Sequence, residues 1–374
     1  MKIRVAHVIT GLSRGGAENV LYRLIAAQGN SREFSVISLT DDGVFGERLR
    51  ELGVDVTCLH MRSNLPSPLA FLKLVRILRR TKPDVVQTWM YHSDLIGGLA
   101  ARLAGRPVCW GIHHSHLARD KNKVSTLRVV RICALLSRVI PFAIISCSRR
   151  AITVHRAVGF AEKFVQIPNG LNLEEFVPDA ARGNATRRQL GVPNEAKIVG
   201  HVGRADPQKD HSNLIAAFEK IAHRFPEARL LLVGQGLQRG NPYLEGLLVN
   251  SGVSERIIAL GPRDDVPALM SAMDLFVLSS AGEAFPSVVV EAMASGVPCV
   301  VTDVGDTAEI VGDTGWVVPS EDSKALAGAL AQALGERAED LFRRGSLARQ
   351  RVVENYDVAQ MVAAYRSVWD EAGN

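Results

Sequence analysis

The feature that most constrains this chain is a regular exchange of short apolar runs with stretches of helical periodicity, carried through both halves. In the first half the apolar runs begin near Ile3, Phe34, Asp55, Asp84, Pro107, Phe142 and Phe164, separated by helical stretches such as Ser93 to Ala104. In the second they begin near Lys197, Ala228, Arg256, Asp274, Pro298 and Gly315. Such alternation argues a parallel sheet covered on both faces by helices. At 374 residues the chain exceeds the length at which one core stops growing. The expected fold class is therefore α/β, with two doubly wound, Rossmann-like domains. The stretch from Ile167-Pro168-Asn169-Gly170 to Gly191, rich in Gly, Pro, Asn and charge, reads as the linker.

The densest group of chemistry-bearing residues is Glu283-Ala-Phe285-Pro286-Ser287-Val288-Val-Val-Glu291, between the apolar run Asp274 to Ser280 and a helix ending at Gly296. Pro286 and Ser287 read as a helix start, so Glu283 falls in the loop at a strand's carboxyl end, where open α/β sheets bind ligands. Glu291 then sits one turn into the helix. Backbone N–H groups near Ser287 and Val288 would face outward between the two carboxylates and suit phosphate oxygens. An ionised carboxylate accepts two hydrogen bonds at once, so one glutamate can hold sugar hydroxyls and the other a ribose diol. In isolation, two glutamates near a helix start are more commonly solvated capping groups.

Neighbouring motifs weigh against that simpler reading. Lys197 to Arg204 reads as a strand that runs into Ala205-Asp206-Pro207-Gln208-Lys209, placing Arg204 and Lys209 on either side of an Asp-Pro turn at another strand end. Two fixed cations there can clamp a diphosphate. After the first strand, Thr10-Gly11-Leu12-Ser13-Arg14-Gly15-Gly16 is a loop whose glycines let backbone approach a ligand closely. Its spacing is not that of a dinucleotide fingerprint. Pro107 to Ile112 reads as a strand ending at His113, His114 and His116. Three histidines in four residues suggest a metal, but no Cys or carboxylate follows at ligand spacing, so no metal is expected.

Together these motifs resemble the family 4 (group 1) retaining glycosyltransferases, which have the GT-B fold. The resemblance rests on Gly203-Arg204 with Lys209-Asp210, the Val233-Gly234-Gln235-Gly236 turn, the Leu260-Gly261 strand end, Glu283-x-Phe285-Pro286, and Glu291-Ala292-Met293 through Gly296-x-Pro298. It implies an N-terminal acceptor domain of residues 1–170, joined by the last helix within 357–374, and a donor domain of residues 171–356, the two facing an inter-domain cleft. It implies donor-binding roles for Gly15, Gly16, Arg204, Lys209, Phe285, Pro286, Ser287, Val288 and Glu291. His113 and Glu283 would be catalytic, positioning the sugar and its oxocarbenium-like transition state; whether His113 also acts as a base stays open. The expected reaction is front-side transfer of a hexose from a nucleotide-diphosphate sugar to a glycan or polyprenyl-linked glycan, as in bacterial surface polysaccharide synthesis. No Asp-x-Asp occurs, which fits a metal-independent enzyme whose own cations replace the divalent ion. No cofactor is expected, and a UDP-sugar is preferred over a GDP-sugar on its frequency among similar enzymes.

Charge is divided unevenly. Residues 1–178 hold 25 Lys and Arg against 13 Asp and Glu, a net +12, which leaves −7 for the remainder of a chain that is +5 in all. Helix Lys123 to Ile140 is expected to gather Arg128, Arg131 and Arg138 on one arc, with Val129, Ile132, Leu136, Val139 and Ile140 on the core side. Helix Leu69 to Lys82 mixes Lys73, Arg76 and Arg80 with Leu69 and Leu72. Basic charge mixed with leucine suits an anionic membrane surface, and a solvated helix face serves as well for either helix alone. No nucleic-acid motif is present. The five cysteines lie in apolar contexts without Cys-x-x-Cys and read as buried hydrophobes of a reducing compartment. No secretory signal is recognisable, so a cytoplasmic protein, peripheral at the inner face of the plasma membrane, is expected. A sugar-nucleotide epimerase of related architecture is the competing enzyme reading, and a silent nucleotide-sugar binder the competing non-enzymatic one. The run Gly234-x-Gly236-x-x-x-Gly240 has one residue too many for a dehydrogenase fingerprint.

Overall fold

The computed structural model describes residues 3–29, 33–61, 67–115, 117, 123–193 and 195–374. The chain divides into two compact units, Met1–Gly170 with Val358–Asn374, and Leu171–Asp357.

In the first unit the strands are β1 (Val5–Ile9), β2 (Phe34–Ser38), β3 (Asp55–Cys58), β4 (Val85–Trp89), β5 (Val108–Ile112), β6 (Ile144–Ser146) and β7 (Phe164–Gln166). The helices are α1 (Gly16–Ala26), α2 (Gly43–Glu51), α3 (Pro68–Thr81), α4 (Tyr91–Leu103), α5 (Val124–Leu136) and α6 (Arg149–Val158), and the chain's last helix also belongs to this unit. The sheet is parallel with order β3-β2-β1-β4-β5-β6-β7. Val5 of β1 stands opposite Phe34 on one side and Val85 on the other, and all five β1 residues are buried. That is why these runs are mostly apolar on both sides of the strand: helices cover both faces. Strand order reverses between β1 and β4, a topological switch point.

The second unit holds α7 (Ala180–Gln189), β8 (Lys197–Val202), α8 (His211–Ala222), β9 (Ala228–Val233), α9 (Pro242–Leu248), β10 (Ile257–Gly261), α10 (Val266–Ala272), β11 (Leu275–Leu278), α11 (Ser287–Ala294), β12 (Cys299–Thr302), α12 (Thr307–Val311), β13 (Trp316–Val318), α13 (Ser323–Leu334) and α14 (Ala338–Asn355). Its parallel sheet runs β10-β9-β8-β11-β12-β13, so the switch point lies between β8 and β11. The entry to β11 is fixed from α7: Arg187 donates to Asp274 at 2.6 Å, and the same carboxylate oxygen accepts from the Ile198 amide at 2.7 Å.

The last helix, α15 (Val358–Gly373), docks on the first sheet through Trp369, whose indole donates to Gln87 Oε1 at 3.0 Å. His7 lies in the same aromatic group, near Phe34, Trp89 and Trp369, and its Nδ1 accepts from the Trp89 indole at 3.2 Å.

Three expectations are corrected. Helix α5 ends at Leu136 rather than Ile140, because Pro141 follows and the Ser137 hydroxyl turns back on the Ala134 carbonyl at 2.6 Å. Its buried arc is Val130, Cys133 and Ala134, while Ile132 and Val139 are exposed, since small side chains let α5 lie close on α4. Cys58, on edge strand β3, is only partly buried; the other four cysteines are buried.

Candidate active site

In the second unit the site residues collect at the carboxyl edge beside the β8/β11 switch point. Strand β8 ends at Val202, and Gly203 and Arg204 lead into a 3-10 turn over Pro207–Lys209. Asp206 caps that turn through the Gln208 amide at 2.9 Å and, through its other oxygen, holds the Arg204 fork at 3.0 and 2.8 Å. Burial alone would raise the Asp206 pKa, but the Gln208 amide and the Arg204 guanidinium outweigh it and hold the carboxyl below its usual range. Arg204 is 58% exposed. Close packing under this loop requires glycine at 234: its φ is 145°, and a Cβ there would collide with the Gly203 carbonyl.

Lys209 is the last residue of the same turn. Its ammonium donates to Glu283 Oε1 at 2.5 Å in a pair only 20% and 14% exposed. Glu283 lies in the loop after β11, which is anchored by the Ala281 amide on the Gln208 carbonyl at 2.8 Å. Below it, Gly305 sits at φ 56°, and a Cβ there would be 2.5 Å from the Glu283 carbonyl oxygen. Pro286 caps α11, which begins at Ser287, and its first turn carries no acidic side chain. Phe285 is buried and edge-on to Tyr356 at 5.5 Å, Ser287 and Val288 are half-buried, and Glu291 is 6% exposed. The arrangement thus offers two cations, Arg204 and Lys209, and three carboxylates, Asp206, Glu283 and Glu291, on the turn after β8, the loop after β11 and the helix that follows it. Each cation is already neutralised by a carboxylate.

In the first unit the β1/β4 edge carries exposed Arg14 and Asp41 over buried groups that are mostly uncharged. Gly15 caps α1, and Gly16 begins it with open space where a Cβ would stand. The loop between β1 and α1 is braced by Asp41, which accepts from the Leu12 amide at 3.3 Å and the Ser13 hydroxyl at 3.1 Å. Thr10, at the end of β1, shares a hydrogen bond of 3.0 Å with Ser93 in the first turn of α4. Met90, which caps α4, has φ 72°, a conformation uncommon outside glycine that recurs at functional sites. His113 follows β5 and stacks on Trp89 at 5.1 Å and 18°. Neither of its ring nitrogens has a hydrogen-bond partner among the described residues, and burial pulls its pKa down to about 4. His116 lies outside the described residues. Among the described residues no three His, Cys, Asp or Glu side chains come together as a metal site.

Lys209 and Glu283, 74 positions apart in sequence, are brought into contact, and Arg204 stands on the same turn. The sequence reading missed Asp206, whose signal was its place two residues after Arg204, together with Ser279 and Ser280 before the Glu283 loop. It also missed the strained Met90, for which the sequence carries no cue.

Comparison with known proteins agrees with this architecture. A family model described as Glycosyltransferase Family 4 matches residues 14–175, and one described as Glycosyl transferases group 1 matches residues 196–336. The 2-deoxystreptamine N-acetyl-D-glucosaminyltransferase of Streptomyces fradiae is 30% identical over 317 residues, covering 75% of this chain and 73% of that protein. The Escherichia coli UDP-Gal:alpha-D-GlcNAc-diphosphoundecaprenol alpha-1,3-galactosyltransferase is 24% identical over 98% of this chain and 97% of its own length. The structure of Anabaena HepE in complex with UDP-glucose superposes with a TM-score of 0.87 at 24% identity, covering 99% of this chain and 100% of that one. Two parallel-sheet Rossmann-like units of this kind define the GT-B fold. The chain belongs to the family 4, group 1 glycosyltransferases and is an enzyme of the hexosyltransferase type.

Proposed function

We propose that the protein is a retaining glycosyltransferase that moves a hexose from a nucleotide-diphosphate sugar to a glycan or polyprenyl-linked glycan, without a metal, in the synthesis of a bacterial surface polysaccharide. The observation that carries this reading is the Lys209–Glu283 pair at the β8/β11 switch point, with Arg204 on the same turn. On donor binding, Lys209, Arg204 and the amino end of α11 at Ser287 and Val288 take the diphosphate, and charge developing on the leaving group is met by donors already in place. Glu291 holds the ribose diol, and Phe285 and Pro286 shape the loop that presents Glu283 to the sugar. Gly15 and Gly16 let backbone approach the donor. A histidine with a pKa near 4 is neutral at working pH and a weak base, which favours His113 as a positioning group for the sugar.

A UDP-sugar is the preferred donor: the Escherichia coli relative is named for UDP-Gal, and HepE was crystallised with UDP-glucose. The same relative is named for a diphosphoundecaprenol acceptor. A lipid-linked acceptor also fits the exposed Leu69, Leu72 and Leu135, which stand among Lys73, Arg76, Arg128 and Arg131 on α3 and α5. No helix among the described residues is long and apolar enough to cross a membrane, so contact would be peripheral.

The test is incubation with a panel of nucleotide sugars, with and without polyprenyl-linked glycans, in the presence of EDTA. Acceptor-dependent nucleotide release with retained anomeric configuration supports the reading. An isomerised donor without transfer would make the protein an epimerase, and loss of activity in EDTA would overturn the metal-free mechanism.

A further inference from the structure

Strand β11 ends at Leu278 and is followed by two fully buried serines, each of which holds one member of the Lys209–Glu283 pair. The Ser279 hydroxyl donates to the backbone carbonyl of Lys209 at 2.8 Å. The Ser280 hydroxyl donates to Glu283 Oε1 at 2.7 Å, the oxygen that also accepts from the Lys209 ammonium. Consecutive strand residues point to opposite faces. These two serve one site because the chain has already left the strand. The Ser280 carbonyl accepts from the Thr302 hydroxyl at 2.6 Å, which fastens the strand end to β12 as well.

We propose that Ser279 and Ser280 are positioning residues for the transfer reaction, Ser280 fixing the Glu283 carboxylate and Ser279 fixing the backbone of Lys209. The inference rests on the roles proposed above for Lys209 and Glu283. Lysine and glutamate are long side chains that lose rotamer freedom when held. A serine has a single side-chain torsion to fix and can orient both at small entropic cost. The carboxylate oxygen receives one donor from the long lysine side chain and one from the strand end. It therefore keeps its place when the lysine turns toward a diphosphate.

The roles separate in kinetics. Turnover and donor KM are measured for Ser280→Ala, Ser280→Thr, Ser279→Ala and Glu283→Gln, with UDP affinity by calorimetry. Loss of a hydrogen bond to a charged group should lower kcat in Ser280→Ala about tenfold or more while UDP affinity holds. Ser280→Thr, which keeps the hydroxyl, should recover most of that loss. On the Glu283→Gln background, Ser280→Ala should change kcat less than twofold, because the carboxylate charge that it positions is gone. Ser279→Ala should instead weaken UDP binding. A Ser280→Ala enzyme with normal kcat, or one fully additive with Glu283→Gln, would overturn the inference for Ser280, as unchanged UDP affinity in Ser279→Ala would for Ser279. If Glu283→Gln itself turns over normally, the failure lies in the site reading, and the positioning role falls with it. Should Ser280→Thr fold poorly, the additivity measurement decides alone.

Discussion

The carboxyl edges of the two sheets have the same topology and opposite chemistry. Beside the β8/β11 switch, Arg204, Asp206, Lys209 and Glu283 are charged, and each cation rests on a carboxylate. Beside the β1/β4 switch the charged Arg14 and Asp41 are exposed, the groups beneath are hydroxyls, an indole and an imidazole, and the buried ionisable ones are held neutral: the His113 pKa falls to about 4 and that of Asp94 rises to about 8, each through burial. Net charge runs the other way, +12 over residues 1–178 and −7 over the rest. The proposed anion clamp therefore sits in the acidic half of the chain. Exposed charges beyond about 8 Å are screened at physiological ionic strength, so what matters for a diphosphate is the local turn rather than the total. A doubly wound edge can carry fixed charge when the same loops supply the counter-charge; without one, burial selects uncharged forms.

The contrast breaks most readily at Lys209. Lys209→Ala should lower kcat about a hundredfold or more, ~3 kcal/mol of lost stabilisation of the leaving group, and should also lower the thermal midpoint at pH 7, because the mostly buried Glu283 loses its counter-charge. Arg204→Ala, at an exposed fork, should cost less than Lys209→Ala. Steady-state kinetics on both variants checks the ranking, and near-normal turnover in Lys209→Ala would reduce the charged edge to a structural feature.

A second test uses what the units share. Burial pulls His7 down to about 3 and His113 and His155 to about 4 in the first unit, and His211 to about 4 in the second. These folded values lie below the unfolded value, so the unfolded chain binds more protons below about pH 6.5. Stability is complete above that pH and is lost as pH falls toward 4. Replacing His7 with Gln should remove about 2 kcal/mol of the acid loss at pH 5. The relief should appear in hydrogen exchange of β1 amides and not of β8 amides. An unchanged acid slope at β1 would show that His7 does not limit the first unit.

How much of this was legible follows from the kind of signal each feature leaves. Both sheets were readable because doubly covered strands are apolar at most positions on both faces, and the observed strands begin within about two residues of the expected places. The phase of α5 was not, because arginine and branched residues surround it and the side that packs was chosen by the small Cys133 and Ala134. Arg204, Lys209 and Glu283 read as residue types at strand ends, and Glu291 as one a turn into the next helix. The sequence was silent on their pairing, because a contact across 74 positions depends on strand order and on backbone anchors such as the Ala281 amide. The neutral edge was least legible: a histidine after a strand looks the same whether its nitrogens are solvated or sealed.

The charged edge is sharpened by Glu291. It is buried, and an amide accepts at only one of its two ends, so Glu291→Gln should weaken UDP binding about tenfold, ~1.4 kcal/mol, through loss of a two-oxygen contact with a diol. Calorimetry with UDP reads this without turnover. Unchanged affinity would remove Glu291 from the donor site and leave Lys209 and Arg204 to hold the diphosphate.

The neutral edge is sharpened by Asp94 in the first turn of α4. Its Oδ1 accepts from the Thr88 hydroxyl at 2.6 Å and the Gly111 amide at 3.2 Å, while Oδ2 is buried with no partner among the described residues. Burial pushes its pKa up to about 8, against the two hydrogen bonds that pull it down. The folded carboxyl therefore keeps a proton that the unfolded one releases, and stability falls as pH rises until the folded group ionises near pH 8. This is the reverse of the histidine limb. Asp94→Asn retains an acceptor for Thr88 and Gly111 and cannot ionise. Between pH 7 and 8.5 the native protein should lose about 1 kcal/mol relative to the variant, a shift of a few degrees in midpoint. Thermal unfolding of both across that range decides the point. Parallel curves would mean that Asp94 is already ionised and that this edge, like its counterpart, holds a charge.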